Sequence, residues 1–122
     1  MFVRFVVGEE GEDHRQLTGV VTEARLLREK GVLEPYQEDW LAETYAWLND
    51  NLPCPPFSTS DWPRDVVAWF KDDAGESISK MWGLVSLLRE HNSPVRVLRS
   101  KNPGKVFYED EYQIVVEEWR AL

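Results

Sequence analysis

Four basic side chains, Arg96, Arg99, Lys101 and Lys105, lie within "PVRVLRSKNPGKVFY" (94–108), a stretch without an acidic residue in a chain of formal net charge −8. Guanidinium and ammonium groups gathered around a turn, whose backbone N–H groups add partial positive charge, can hold a phosphate or a carboxylate. Side chains alternate across a strand, however, so Arg96 and Arg99 fall on opposite faces, and the plainer expectation is a hairpin with a solvated basic side. These four residues are the candidate anion or partner contact.

The other reactive residue types assemble less well. Glu9, Glu10, Glu12, Asp13 and His14 crowd one segment, but they lack the ligand spacing of a calcium loop and the second histidine of a zinc site. Cys54 sits between prolines in "LPCPPF", with neither a nucleophile elbow nor a helix start beside it, so a structural thiol is expected. General acid–base work by Asp72 and Asp73, or by Glu109, Asp110 and Glu111, would need two carboxyl groups with separated pKa values in one pocket; acid at a turn is ordinarily turn chemistry. Lys71, beside Trp69 and Phe70, reads as an exposed lysine at a helix end, with a cation–π contact as the alternative. No phosphate loop, dinucleotide fingerprint, H-E-x-x-H or C-x-x-C occurs. No metal and no cofactor are expected, and no catalytic residue can be assigned.

The elements that must position these groups fit one domain spanning residues 1–122. With 43% apolar and 30% charged residues, the chain lies in the globular range. Its six tryptophans call for a core rich in flat aromatic contacts. The acidic balance argues against a nucleic-acid partner, since that affinity comes mainly from neutralising phosphates. No stretch has the length and apolarity of a membrane span or signal peptide, and a single cysteine agrees with a reducing compartment, so a cytoplasmic protein is expected.

Along the chain, "FVRFVV" (2–7) has the content of a strand. Leu17, Val20, Val21, Ala24 and Leu27 share one helical face, giving a helix from about Gln16 to Lys30 with a stop at Gly31. Pro35 precedes a second amphipathic helix at 36–51, expected to pair with the first as an antiparallel hairpin. Residues 52–63 read as a loop, 65–71 as a short helix led by Pro63, and 76–91 as a longer helix whose Gly83 points to close packing. Strands at about 95–100, 104–109 and 112–119 read as a meander, with Pro103 and Gly104 at the centre of a type II turn. The sum is an α+β fold: a small, mostly antiparallel sheet of about four strands, made of the C-terminal three-strand meander and the N-terminal strand, with about four helices packed on it.

The segments "WFKDDA" (69–74) and "PGKVFYEDEYQIVVE" (103–117) carry a resemblance. Their sequence and order resemble a family of small bacterial proteins of unknown function. Its members share an "RF" near the start, an acidic loop, two helices ending in "LP", a "WFK" segment, a further helix and a closing PG-x-V-x-YED-x-x-Q-V-V hairpin. The resemblance covers nearly the whole chain and implies a single domain of bacterial origin. It brings no activity, cofactor or site residue, and the final "EEW" departs from the pattern.

If Val95, Val97, Val106, Tyr108, Ile114 and Val116 face the helices, then Leu98, Phe107, Val115 and Trp119 point the other way and are too apolar for a wet surface. These four are the candidate interface. The expected function is a non-enzymatic protein-interaction domain, with the partner another protein or a second copy in a homodimer, and no nucleic acid or membrane involved. The alternatives are a small ligand-binding or hydrolase-like enzyme built around the hairpin, "WFKDD" and His91, and an acidic inhibitor of a basic protein.

Overall fold

The computed structural model describes residues 1–9 and 18–119. In chain order the elements are β1 (Phe2–Val7), β2 (Thr18–Gly19), α1 (Val20–Glu29), α2 (Pro35–Asn51), β3 (Val67–Lys71), α3 (Gly75–Glu90), β4 (Val95–Ser100), β5 (Gly104–Glu109) and β6 (Gln113–Glu118), with a 3₁₀ turn at Phe57–Thr59. The fold is α+β, as expected, but the antiparallel sheet is larger and the helices are fewer.

Two departures explain the difference. The stretch read as a short helix is β3, whose Val67, Trp69 and Phe70 suit a pleated surface better than a helix once β6 is there to pair with it. The C-terminal meander is also not formed. After α3 the chain pairs β4 with β1 over its full length, Phe2 opposite Ser100 through Val7 opposite Val95. Of these three strands, β5 and β6 alone form a hairpin. The main path is β4–β1–β3–β6–β5, with β2 sharing the second edge of β1 with β3.

Helix boundaries follow local chemistry. Pro35 opens α2, and Glu34 with Gln37 closes a reciprocal capping box that occupies two of the N–H groups a helix start leaves over. Gly31, at φ +71°, stops α1 in the left-handed region that favours glycine. The expected close approach at Gly83 is present: a Cβ there would lie 2.5 Å from Trp40 Cζ2, so α2 and α3 meet at a contact only glycine permits. The closest helix packing is that of α3 with α1 and with α2. Contact between α1 and α2 includes the Tyr45 hydroxyl, which donates to the Val21 carbonyl at 2.7 Å.

The sheet separates two apolar clusters. On one face Val3 and Phe5 of β1 pack with Val20, Ala24, Leu41, Leu48, Met81, Leu84 and Leu88 from the helices, joined by Val95, Val97 and Phe70. On the other face Trp69, Ile114 and Val116 gather Phe2, Val67 and Leu98. Ile114 and Val116 thus lie on the face opposite to the one expected, while Val95 and Val97 meet the helices as expected. The alternation of β4 cannot be carried on to β6, because β1 and β3 stand between them. Among the described residues no helix is long and apolar enough to cross a membrane.

Candidate functional site

The second face of the sheet holds the only charged pair of the described residues in which both side chains are more than nine-tenths buried. Arg4 Nη1 donates to Glu118 Oε1 at 3.0 Å, with side-chain exposures of 8% and 4%. Burial pushes the Arg4 pKa below its ordinary value, and the Glu118 carboxylate opposes that shift. The pair joins β1 to β6, strands that are not neighbours along the main path, so it also marks how far the sheet curls. A charge this deeply buried is tolerated only when it is paired and hydrogen-bonded.

Next to this pair a recess of about 410 Å³ is bounded by the second half of β4, the turn after it, the end of β6 and Trp69 of β3. Local bonds hold its wall in place. The Asn102 N–H donates to Ser100 Oγ at 3.2 Å, and the Trp119 N–H donates to the Pro103 carbonyl at 3.2 Å. Gly104 does not take the positive φ of a type II turn. It is needed for another reason: a Cβ there would stand 2.1 Å from the Glu117 carbonyl oxygen, so β5 could not approach the end of β6.

Trp69 is 3% exposed, and its indole Nε1–H has no hydrogen-bond acceptor among the described residues. Leaving such a donor unpaired costs about 1–3 kcal/mol. At the other extreme Trp119, in the same wall, is 57% exposed. The recess therefore combines the buried Trp69 and Glu118 side chains, an apolar side chain in Leu98 and the exposed indole of Trp119. These groups can cover and orient a largely apolar group.

Leu98 and Trp119, both expected interface residues, meet in this recess, whereas Arg99 borders it but, opposite Val3, has its side chain on the face that carries the helices. The remaining members do not join them there. Arg96 lies opposite Val6 on the Leu98 side of β4 and is half-buried. Lys101 is an exposed turn residue, and Lys105 is exposed with its Nζ 5.3 Å from the centre of the Phe107 ring. The four bases thus do not form one cluster. Phe107 occupies the bulge of β5, half-buried. Val115 is fully buried and shares its face with Ala68 and Tyr108, not with Leu98.

The other candidates are engaged elsewhere. Lys71 Nζ lies 2.6 Å from Glu109 Oε2, and is a strand residue with an ion partner. Asp110 organises the β5–β6 turn: its carboxylate accepts from the N–H groups of Tyr112 and Gln113 and from the Tyr108 hydroxyl and Gln113 Nε2, at 2.8 to 3.1 Å. Burial raises the Asp110 pKa, but these bonds together outweigh burial and hold it below the ordinary carboxylate value. Cys54 is exposed, its thiol 3.6 Å from the Pro55 carbonyl. His91 Nε2 is 3.2 Å from Gln37 Oε1. Of the acidic loop, Glu10, Glu12, Asp13 and His14 lie outside the described residues.

Sequence reasoning missed Arg4, Trp69 and Glu118. Their signal was a charged side chain within an otherwise apolar strand, Arg4 in "FVRFVV" and Glu118 at the end of "QIVVEE". Comparison of the chain with protein-family models, with curated proteins and with solved structures finds no match.

Proposed function

We propose that this chain is a non-enzymatic protein-interaction domain and that the recess between β4, β6 and Trp69 is where its partner, another protein or a second copy of the chain, makes contact. One observation carries the reading: a largely exposed tryptophan, Trp119, and the apolar Leu98 line one recess on the sheet face that the helices leave uncovered. An apolar side chain of the partner placed there would cover Leu98 and Trp119. Aromatic side chains at the edge of a desolvated pocket are among the residues that most often dominate binding energy, and Trp119 is of that kind. The net charge of −8 fits a protein partner better than a nucleic acid. The single cysteine fits a reducing cytoplasm.

The experiment is sedimentation velocity with fluorescence detection in clarified lysate of the producing cell. The chain carries a dye on Cys54, which is exposed and does not line the recess. The wild type is expected to sediment as a species larger than the 14.3 kDa monomer, and Trp119→Ala as the monomer. Monomeric sedimentation of both, or an identical complex with both, contradicts the reading.

A further inference from the structure

A second cavity, away from the recess, lies between the first turns of α2 and the last turns of α3 and measures about 330 Å³. Its floor is apolar. The ring of Trp40 lies over Gly83, and Leu87 one turn further along α3 is 5% exposed. One turn before Trp40 on α2, Tyr36 is 68% exposed, although an aromatic ring gains by burial. At the α3 end of the cavity stands the carboxylate of Glu90.

That carboxylate is held from beneath. Gln37 is 5% exposed; its Nε2 donates to Glu90 Oε2 at 2.8 Å, and its Oε1 accepts from the Glu34 N–H at 2.9 Å and lies 3.2 Å from His91 Nε2. A buried amide fixed by the α2 capping box thus sets the position of Glu90, so the carboxylate needs little ordering when a ligand arrives. Two rings one helical turn apart and a fixed carboxylate are the groups that attract a cation: the ring faces through their quadrupoles and the carboxylate through its charge. Glu34 and Glu38 add exposed negative charge at the α2 end, and Arg89, exposed on the last turn of α3, is the nearest base in sequence. The partial negative charge of the α3 C-terminus acts in the same direction. The long apolar stem of lysine or arginine suits the floor of Trp40 and Leu87.

We propose that this groove docks a basic segment of a partner protein, which lays one lysine or arginine side chain against Tyr36 and Trp40 and pairs its charge with Glu90. The proposal is independent of the recess, which lies on the opposite face of the sheet from the helices.

The test is fluorescence anisotropy with two labelled decapeptides, one arginine-rich and one lysine-rich, and their neutral counterparts carrying citrulline or acetyl-lysine. The protein is the whole chain, as wild type, Tyr36→Ala, Glu90→Gln and Asp50→Asn. Glu90→Gln keeps an acceptor for Gln37, and Asp50→Asn removes the same charge at the far end of α2, where Asp50 is exposed. Saturable binding of at least one basic peptide is expected, weakened about three- to thirty-fold by Tyr36→Ala and by Glu90→Gln and left within about twofold by Asp50→Asn. Which basic peptide binds tells lysine from arginine. No saturable binding of either, or equal losses in Glu90→Gln and Asp50→Asn, would overturn the proposal; the second result would reduce the effect to diffuse attraction by an acidic chain.

Discussion

Single side chains on the second sheet face do opposite things. Arg4 and Glu118 bring opposite charges into an apolar layer and pair them there, whereas Trp69 brings an N–H that finds no acceptor among the described residues. The first is a structural tie across the curl, and the second is a cost that the fold carries in place. Asp110 shows a simpler economy, one carboxylate closing the β5–β6 turn with four donors. Since its pKa is lower folded than unfolded, its contribution is fully present above the unfolded value of about 3.9 and is lost as pH falls through the folded value. Asp110→Asn should therefore destabilise the protein at neutral pH by on the order of 1 kcal/mol, allowing for solvent screening. The gap from wild type should close as the pH falls into the acid range. Urea unfolding of both proteins across that range checks this, and a gap that does not change with pH would contradict it.

At the scale of elements, the sequence announces what is local and conceals what is not. The capping box at Glu34 and Gln37, Pro35 at the first turn of α2 and Gly31 after α1 are local signals, and the helices begin and end close to them. The helical reading of "DVVAWFK" fails because so short an apolar run has no period of its own, and its conformation is set by the pairing of β3 with β6. The pairing of β4 with β1 joins segments some ninety residues apart, and no local pattern encodes it. Once β4 leaves the supposed meander, the face of every residue in β6 has to be assigned anew, which is why Val115 is buried. Gly104 is legible as a glycine the fold requires, though not for turn geometry. Backbone atoms of β6 occupy the place of its Cβ and cannot move aside as a side-chain tip can. Gly104→Ala should lower stability by about 1–3 kcal/mol in urea unfolding; a neutral or stabilising result, as expected for alanine at an open site, would show that β5 and β6 are less closely apposed.

Across the whole molecule, helices cover one face of a curled sheet, and the other face encloses its own small cluster beside an open recess. The candidate site was half legible. Leu98 and Trp119 stand out as apolar residues in the wrong company, but Trp69 looks like one more core tryptophan until β3 places it in the same wall, and Arg99, next to Leu98, points to the other face. Lys101 and Lys105 as basic residues, and Phe107 as an apolar one, stand out in the same way and lead elsewhere, since composition cannot tell which strands the chain will bring together. The proposed function requires a protein partner seated on Leu98 and Trp119. The most direct measurement is photo-crosslinking in the producing cell, with a photoreactive residue placed in turn at Leu98, at Trp119 and at Ser79, an exposed position on α3. One discrete product common to positions 98 and 119 and absent at 79 is expected, at twice the chain mass for a second copy or at another single mass for a different protein. No product at 98 and 119, or the same products at all three positions, would contradict it.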